Sequence, residues 1–132
     1  MLEGMFVTVT RFKGYQGKVP FTIGSRLLCC KDPNNTYDTE AIRVLARGGV
    51  MVGYVANSVS TKANGTMSAA RIYDYVGNRF LIEVCFSTQT KVICQVLQKD
   101  FSDPALLKAF LQPDTPKEET LAEVFPEGLS GD

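Results

Sequence analysis

The chain has 132 residues, 45% of them hydrophobic, and fourteen basic side chains balance fourteen acidic ones. That is one domain of ordinary globular composition, too small for a motor ATPase or a second full domain. There is no histidine, which excludes Ser-His-Asp triads, histidine general bases and histidine metal sites. No apolar run approaches the roughly 18 residues of a membrane span. Met1 to Met5 includes Glu3 and lacks an apolar h-region, so no signal peptide is expected. These features predict a cytoplasmic protein without membrane contact.

Met5 to Thr10 is β-branched and aromatic and predicts a strand. Residues 13–20 carry two glycines and a proline and read as a loop, with a short extended piece at 21–24. Arg26 to Cys30 predicts a second strand, and Lys31 to Asp38 is dense in turn formers. Ala41–Ala46 and Val50–Val55 flank Arg47-Gly48-Gly49, the pattern of a β-hairpin. Asn57 or Ser58 can cap a short helical stretch that Gly65 breaks. Thr66 or Ser68 can cap a second helix through Ile72 to Val76. Residues 79–86 and 90–98 form the last predicted hairpin.

Asp103 and Pro104 open a helix with Leu106, Leu107, Phe110 and Leu111 on one face. Thr115 and Glu118 form a capping box before a second stripe of Leu121, Val124 and Phe125. The reading is mainly β (α+β): an OB-like or SH3-like barrel of about six strands, with a helical insert and C-terminal helices. Closure is expected because it removes exposed edges. The predicted boundaries are a barrel domain over 1–99 and an acidic tail over 100–132.

The zero net charge hides a split. Residues 1–99 hold twelve Lys and Arg against six Asp and Glu, a net of +6, and residues 100–132 hold two Lys against eight acids, a net of −6. A basic body is what a polyanion binder presents, although a solvated surface with a solubilising tail has the same statistics. The four cysteines lack a C-x-x-C pair, and Cys29 and Cys30 would face opposite sides of a strand. Reduced core thiols without metal or cofactor are expected.

Catalytic signatures are weak. Gly14-x-x-Gly17-Lys18 is too short for a P-loop, and Val19 follows the lysine. Asp38 and Glu40 would share a face of a strand and allow a metal-dependent hydrolase, but no other residue pattern supports one. The chain is therefore read as a non-enzyme. The stretch with most chemical content is 31–44, where a turn presents Asn35, Tyr37 and Asp38 before a strand. Tyr37 and Tyr54 offer flat faces, and Lys13, Lys18, Lys31 and Arg43 offer charge nearby in sequence. Aromatics for stacking and cations for phosphate are the parts of a single-strand nucleic-acid site. Equally, Asn35 and Asp38 could hold only an Asx turn, and Tyr37 could plug the core.

The run Lys-Asp-Pro-Asn-Asn-Thr-Tyr-Asp-Thr-Glu-Ala-Ile-Arg-Val at 31–44, followed by Val-Gly-Tyr-Val at 52–55, resembles the HIRAN domain. Residues 53–58 and 65–74 look like its stand-alone bacterial members, and the likeness covers about residues 5–98. The resemblance implies an OB-like barrel that binds the free 3′ end of single-stranded DNA. Aromatics would stack on terminal bases and an aspartate would accept from the 3′ hydroxyl. By motif these roles fall on Tyr15, Asn35, Tyr37 and Asp38. Tyr54 stands where that domain has a histidine and Asn57 where it has a lysine. Gly14 replaces the first of two adjacent aromatics in the family's first loop, and Phe12 is an alternative counterpart. With Lys13 and Lys31 as cations, the expected site is Lys13, Tyr15, Lys31, Asn35, Tyr37, Asp38, Tyr54 and Asn57. The alternative is a protein-interaction module or homodimer using residues 103–125, or an acidic tail folded over the basic groove.

Overall fold

The computed structural model describes residues 4–113, and the expected second tail helix lies outside them. Six strands form the body: β1 (Phe6–Thr10), β2 (Arg26–Lys31), β3 (Ile42–Ala46), β4 (Val50–Val55), β5 (Arg79–Ser87) and β6 (Val92–Gln98). They close into an antiparallel barrel in the order β1-β4-β3-β2-β5-β6, with β6 returning to β1. The expected β-rich barrel is thus the fold.

Alternation along each strand sends one set of side chains inward. Val7, Val9, Leu27, Cys29, Ile42, Val44, Val52, Phe80, Ile82, Val84, Val92 and Cys94 are all at most 2% exposed and form the core. Cys29 lies in this core, while Cys30 belongs to a second cluster outside the barrel wall with Leu28, Leu81, Phe101 and Phe110. All four thiols are free, and Cys85 is only half-buried. Burial pushes the thiols of Cys29, Cys30, Cys85 and Cys94 above the ordinary range.

Two glycine positions shape the β3–β4 hairpin. Gly48 and Gly49 adopt φ of 90° and 82° at its tip, where side-chain-bearing residues are strained. A Cβ at Gly53 would meet the Thr10 carbonyl oxygen at 2.7 Å, so only glycine lets β4 approach β1 there. The β1–β4 seam itself has two residue pairs, Val9 with Val55 and Thr10 with Tyr54. The 56–67 segment completes it. The Ala56 N–H donates to the Thr8 carbonyl, the Met67 N–H to the Phe6 carbonyl, and the buried Thr8 and Thr66 hydroxyls bond at 2.8 Å.

The helical insert is smaller than the sequence predicts. Residues 58–66 are turns, because Val59 is exposed and there is no apolar face to pack. The hydroxyls there also compete for local partners: Ser58 bonds Thr61 at 2.7 Å, and Thr8 accepts from the Ala63 N–H. The expected helix to Val76 is one α-helical turn, α1 (Ala69–Ile72), passing into a 3₁₀ turn (Tyr73–Tyr75). The expected loop at 13–20 begins inside another 3₁₀ turn, Phe12–Gly14, and Phe12 is buried against Phe21 at 5.5 Å between ring centroids. Phe12 is therefore a core residue. Phe21 to Gly24 is not a strand, and Ile23 and Gly24 form a turn.

The first tail helix, α2 (Pro104–Leu111), is capped by the Asp103 carboxylate, which accepts from the Ala105 and Leu106 N–H groups. Its apolar face closes over the outside of β2 and β5: Phe110 is buried, makes an edge contact with Phe101 at 6.2 Å and lies under the Arg47 guanidinium at 5.0 Å. Among the described residues no helix is long and apolar enough to cross a membrane.

Candidate nucleic-acid interface

At the barrel rim, the end of β1, the 32–40 loop, the end of β4 and the turn after it enclose a hollow of about 590 Å³. Each wall has a local cause. The loop is organised by Asn35, whose side-chain oxygen accepts from the backbone N–H groups of Tyr37 and Asp38 at 2.9 and 3.0 Å. Its amide nitrogen donates to the Asp32 carboxylate at 3.3 Å. This Asx geometry rotates Tyr37 away from the barrel, leaving it 97% exposed, so Tyr37 is no core plug.

Asp38 is half-buried, and both of its oxygens accept. One takes the Glu40 N–H at 2.9 Å and the other takes the Asn57 side-chain amide at 2.9 Å. Asn57 in turn accepts the Ala70 N–H at 2.7 Å. Ser68, one of the two caps that the sequence suggests for this helix, caps α1 by accepting the Arg71 N–H at 3.2 Å, while Asn57, suggested as a cap for residues 58–64, takes the neighbouring Ala70 N–H and braces α1 to the loop. Residues 38–40 lie in a turn before β3, so Asp38 and Glu40 do not share a strand face. Among the described residues, no group of three or more His, Cys, Asp or Glu is arranged to hold a metal ion.

Tyr15 and Tyr54 form the second wall, with ring centroids 6.4 Å apart and planes 50° from parallel. Tyr54 is pushed above the ordinary tyrosine range, first by burial and then by the adjoining Tyr15 hydroxyl, so it stays a neutral hydrogen-bonding ring well past neutrality. Arg11 supplies the cation: its guanidinium lies 5.7 Å from the Tyr54 ring centroid. Arg11 also has φ 65°, the left-handed conformation that a non-glycine residue adopts only under constraint. It follows β1 directly and turns the chain from strand into the Phe12–Gly14 turn.

Tyr15, Asn35, Tyr37, Asp38, Tyr54 and Asn57 therefore surround one hollow. Lys13 and Lys31 do not line it. Lys13 is exposed on the Phe12–Gly14 turn. Lys31 donates to the Val76 carbonyl at 2.7 Å and sits 4.3 Å from the Tyr73 ring centroid, facing the helical insert. Lys18 is turned to the Thr88 carbonyl at 2.6 Å. Sequence reasoning missed Arg11, along with the hydroxyls of Thr10, Ser58 and Thr61 on the lining. The signal for Arg11 was its place as the first cation after the strand.

In comparisons with known proteins, no curated protein matches this chain. Among solved structures, the HIRAN domain of human HLTF is similar at 17% identity, over 98% of this chain and 92% of that chain, with a TM-score of 0.48. A sequence model of the HIRAN domain matches residues 3–85, which includes β1 to β4, the Asn35–Asp38 loop and every side chain named around the hollow. A match over well over half the residues is decisive: the chain belongs to the HIRAN domain family.

Proposed function

We propose that this protein binds single-stranded DNA without catalysing a reaction on it, and that the hollow receives the strand's free 3′ end. HIRAN domains are DNA-binding modules, which sets the ligand class. The observation that carries the reading is Tyr37: a large aromatic left 97% exposed on a turn in which Asn35 accepts from the Tyr37 and Asp38 N–H groups has no packing role, and it lines a hollow with two more tyrosines and an arginine. Base stacking on such rings contributes about 1–3 kcal/mol per base, and the guanidinium of Arg11 suits a phosphate.

Asp38 gives the end preference. A carboxylate accepts from a terminal hydroxyl and repels a phosphate at the same place, so it favours a chain end over an internal nucleotide. The test is fluorescence anisotropy with oligonucleotides ending in a 3′ hydroxyl or a 3′ phosphate. The hydroxyl end is expected to bind on the order of tenfold more tightly, with affinity falling as salt rises. Asp38→Ala should remove that difference and leave most of the affinity, and Tyr37→Ala should weaken both ends. Equal affinity for both ends in the native protein removes the role of Asp38. No binding at low salt removes the proposal.

A further inference from the structure

The rim hollow is continuous with a row of side chains on the outer wall of the barrel. In the strand register Tyr54 pairs with Arg43, Arg43 with Cys30, and Cys30 with Arg79. The residues that flank them in sequence, Ile42, Val44, Cys29 and Phe80, point into the core. Alternation therefore turns Arg43, Cys30 and Arg79 outward on one line across β3, β2 and β5. At roughly 4.8 Å per strand, Arg43 lies about 5 Å and Arg79 about 14 Å from Tyr54 along that line.

The two arginines converge on Cys30. Both guanidinium charges pull against the burial that otherwise raises its thiol. Arg79 is exposed. The Arg43 Nε is shut from solvent and has no hydrogen-bond partner, a donor that a phosphate oxygen drawing the guanidinium outward would satisfy. Cys30, in the middle of the row, is buried in the outer cluster with Leu28, Leu81, Phe101 and Phe110, so the two arginines flank a covered thiol. One carboxylate, Asp32, acts on the Tyr54 end of the row.

We propose that Arg43 and Arg79 form a phosphate track, carrying the sugar-phosphate backbone of a single strand away from the hollow across β3, β2 and β5. This rests on the single-strand reading given above. It adds a second recognition element that ignores base identity and responds to strand length. A mononucleotide or dinucleotide seated in the hollow does not reach Arg79, whereas a strand of several nucleotides meets both arginines.

The experiment uses the full chain and 3′-hydroxyl oligothymidines of two, four, six and ten nucleotides, followed by fluorescence anisotropy at several salt concentrations. Native protein should gain on the order of tenfold in affinity between two and six nucleotides and little thereafter. Arg43→Gln with Arg79→Gln should abolish that gain, and Arg79→Gln alone should leave dinucleotide binding unchanged. Its salt slope with the longest strand should fall by about 1.4, twice the single-strand value of roughly 0.7 per phosphate contact. Arg26→Gln with Arg47→Gln, on a separate surface hollow bordered by Ser25 and Ala46, should behave as native protein. Thermal melting checks that each variant is folded, and Arg79→Gln alone should show about half the loss if the pair does not fold. A native affinity that is flat with length, or a double variant that keeps the gain, overturns the track while leaving the hollow intact. Failure of every length to bind overturns the underlying single-strand reading instead.

Discussion

Replacing Asn57 by alanine tests the geometry on which the end pocket depends. The asparagine spans two elements: it donates to the Asp38 carboxylate at 2.9 Å and accepts the Ala70 N–H at 2.7 Å. The first bond involves a charged acceptor and the second caps a first-turn donor of α1. At the lower end of the usual ranges, since both sites are only half-buried, they are worth about 1.5 and about 0.5 kcal/mol. Asn57→Ala should therefore destabilise the fold by about 2 kcal/mol, which lowers Tm by roughly 6–10 °C for a domain of this size. The assay is thermal or urea unfolding followed by circular dichroism, run as a cycle with Asp38→Ala. The cycle should return a coupling of about 1.5 kcal/mol, because each single variant removes the shared bond. The Ala70 share persists in Asn57→Ala whatever stands at position 38. A Tm within about 2 °C of native, or strictly additive effects of the two substitutions, would refute the brace.

Two further substitutions probe strain and burial. Arg11→Gly relieves a left-handed residue and should raise stability by about 1 kcal/mol while weakening single-strand binding several-fold, opposite signs that melting and anisotropy read separately. A loss of stability would show that φ 65° carries no strain. Alkaline unfolding should report the buried thiols. Burial raises Cys29 and Cys94, so the folded chain keeps protons that the unfolded chain releases, and stability is full below the ordinary thiol range and falls as pH rises through it. Each thiol contributes up to about 1.4 kcal/mol per pH unit, so Cys29→Ala with Cys94→Ala should flatten the fall between pH 9 and 11. An unchanged slope there would show that other groups set it.

Much of the barrel was legible because its signals are local. The glycines at 48 and 49 name a hairpin, and the alternation around Cys29-Cys30 assigns one thiol to the core and the other to the outer wall. Strand order was not legible, since the pairing of β1 with β4 and β6 is a long-range outcome that no window of sequence contains. The insert was misjudged for a related reason. Capping signals at Asn57 and Ser58 are genuine, but without an apolar face they serve turns and a distant helix. The turn formers at 31–38 do form turns and bends, once Lys31 has ended β2. Of the readings of this loop, Asn35 is a scaffold and Tyr37 is free, and only the three-dimensional path showed that Arg11, not Lys13 or Lys31, is the cation beside the tyrosines.

The short β1–β4 seam bears on how occupancy is felt by the whole molecule. Thr10, Tyr54 and Val55 are seam residues and also lie on the lining of the hollow. Anything lodged between them clamps the narrowest join of the cylinder. Its binding energy is then added to the cohesion of the entire domain, and melting becomes a reporter of what the mouth contains.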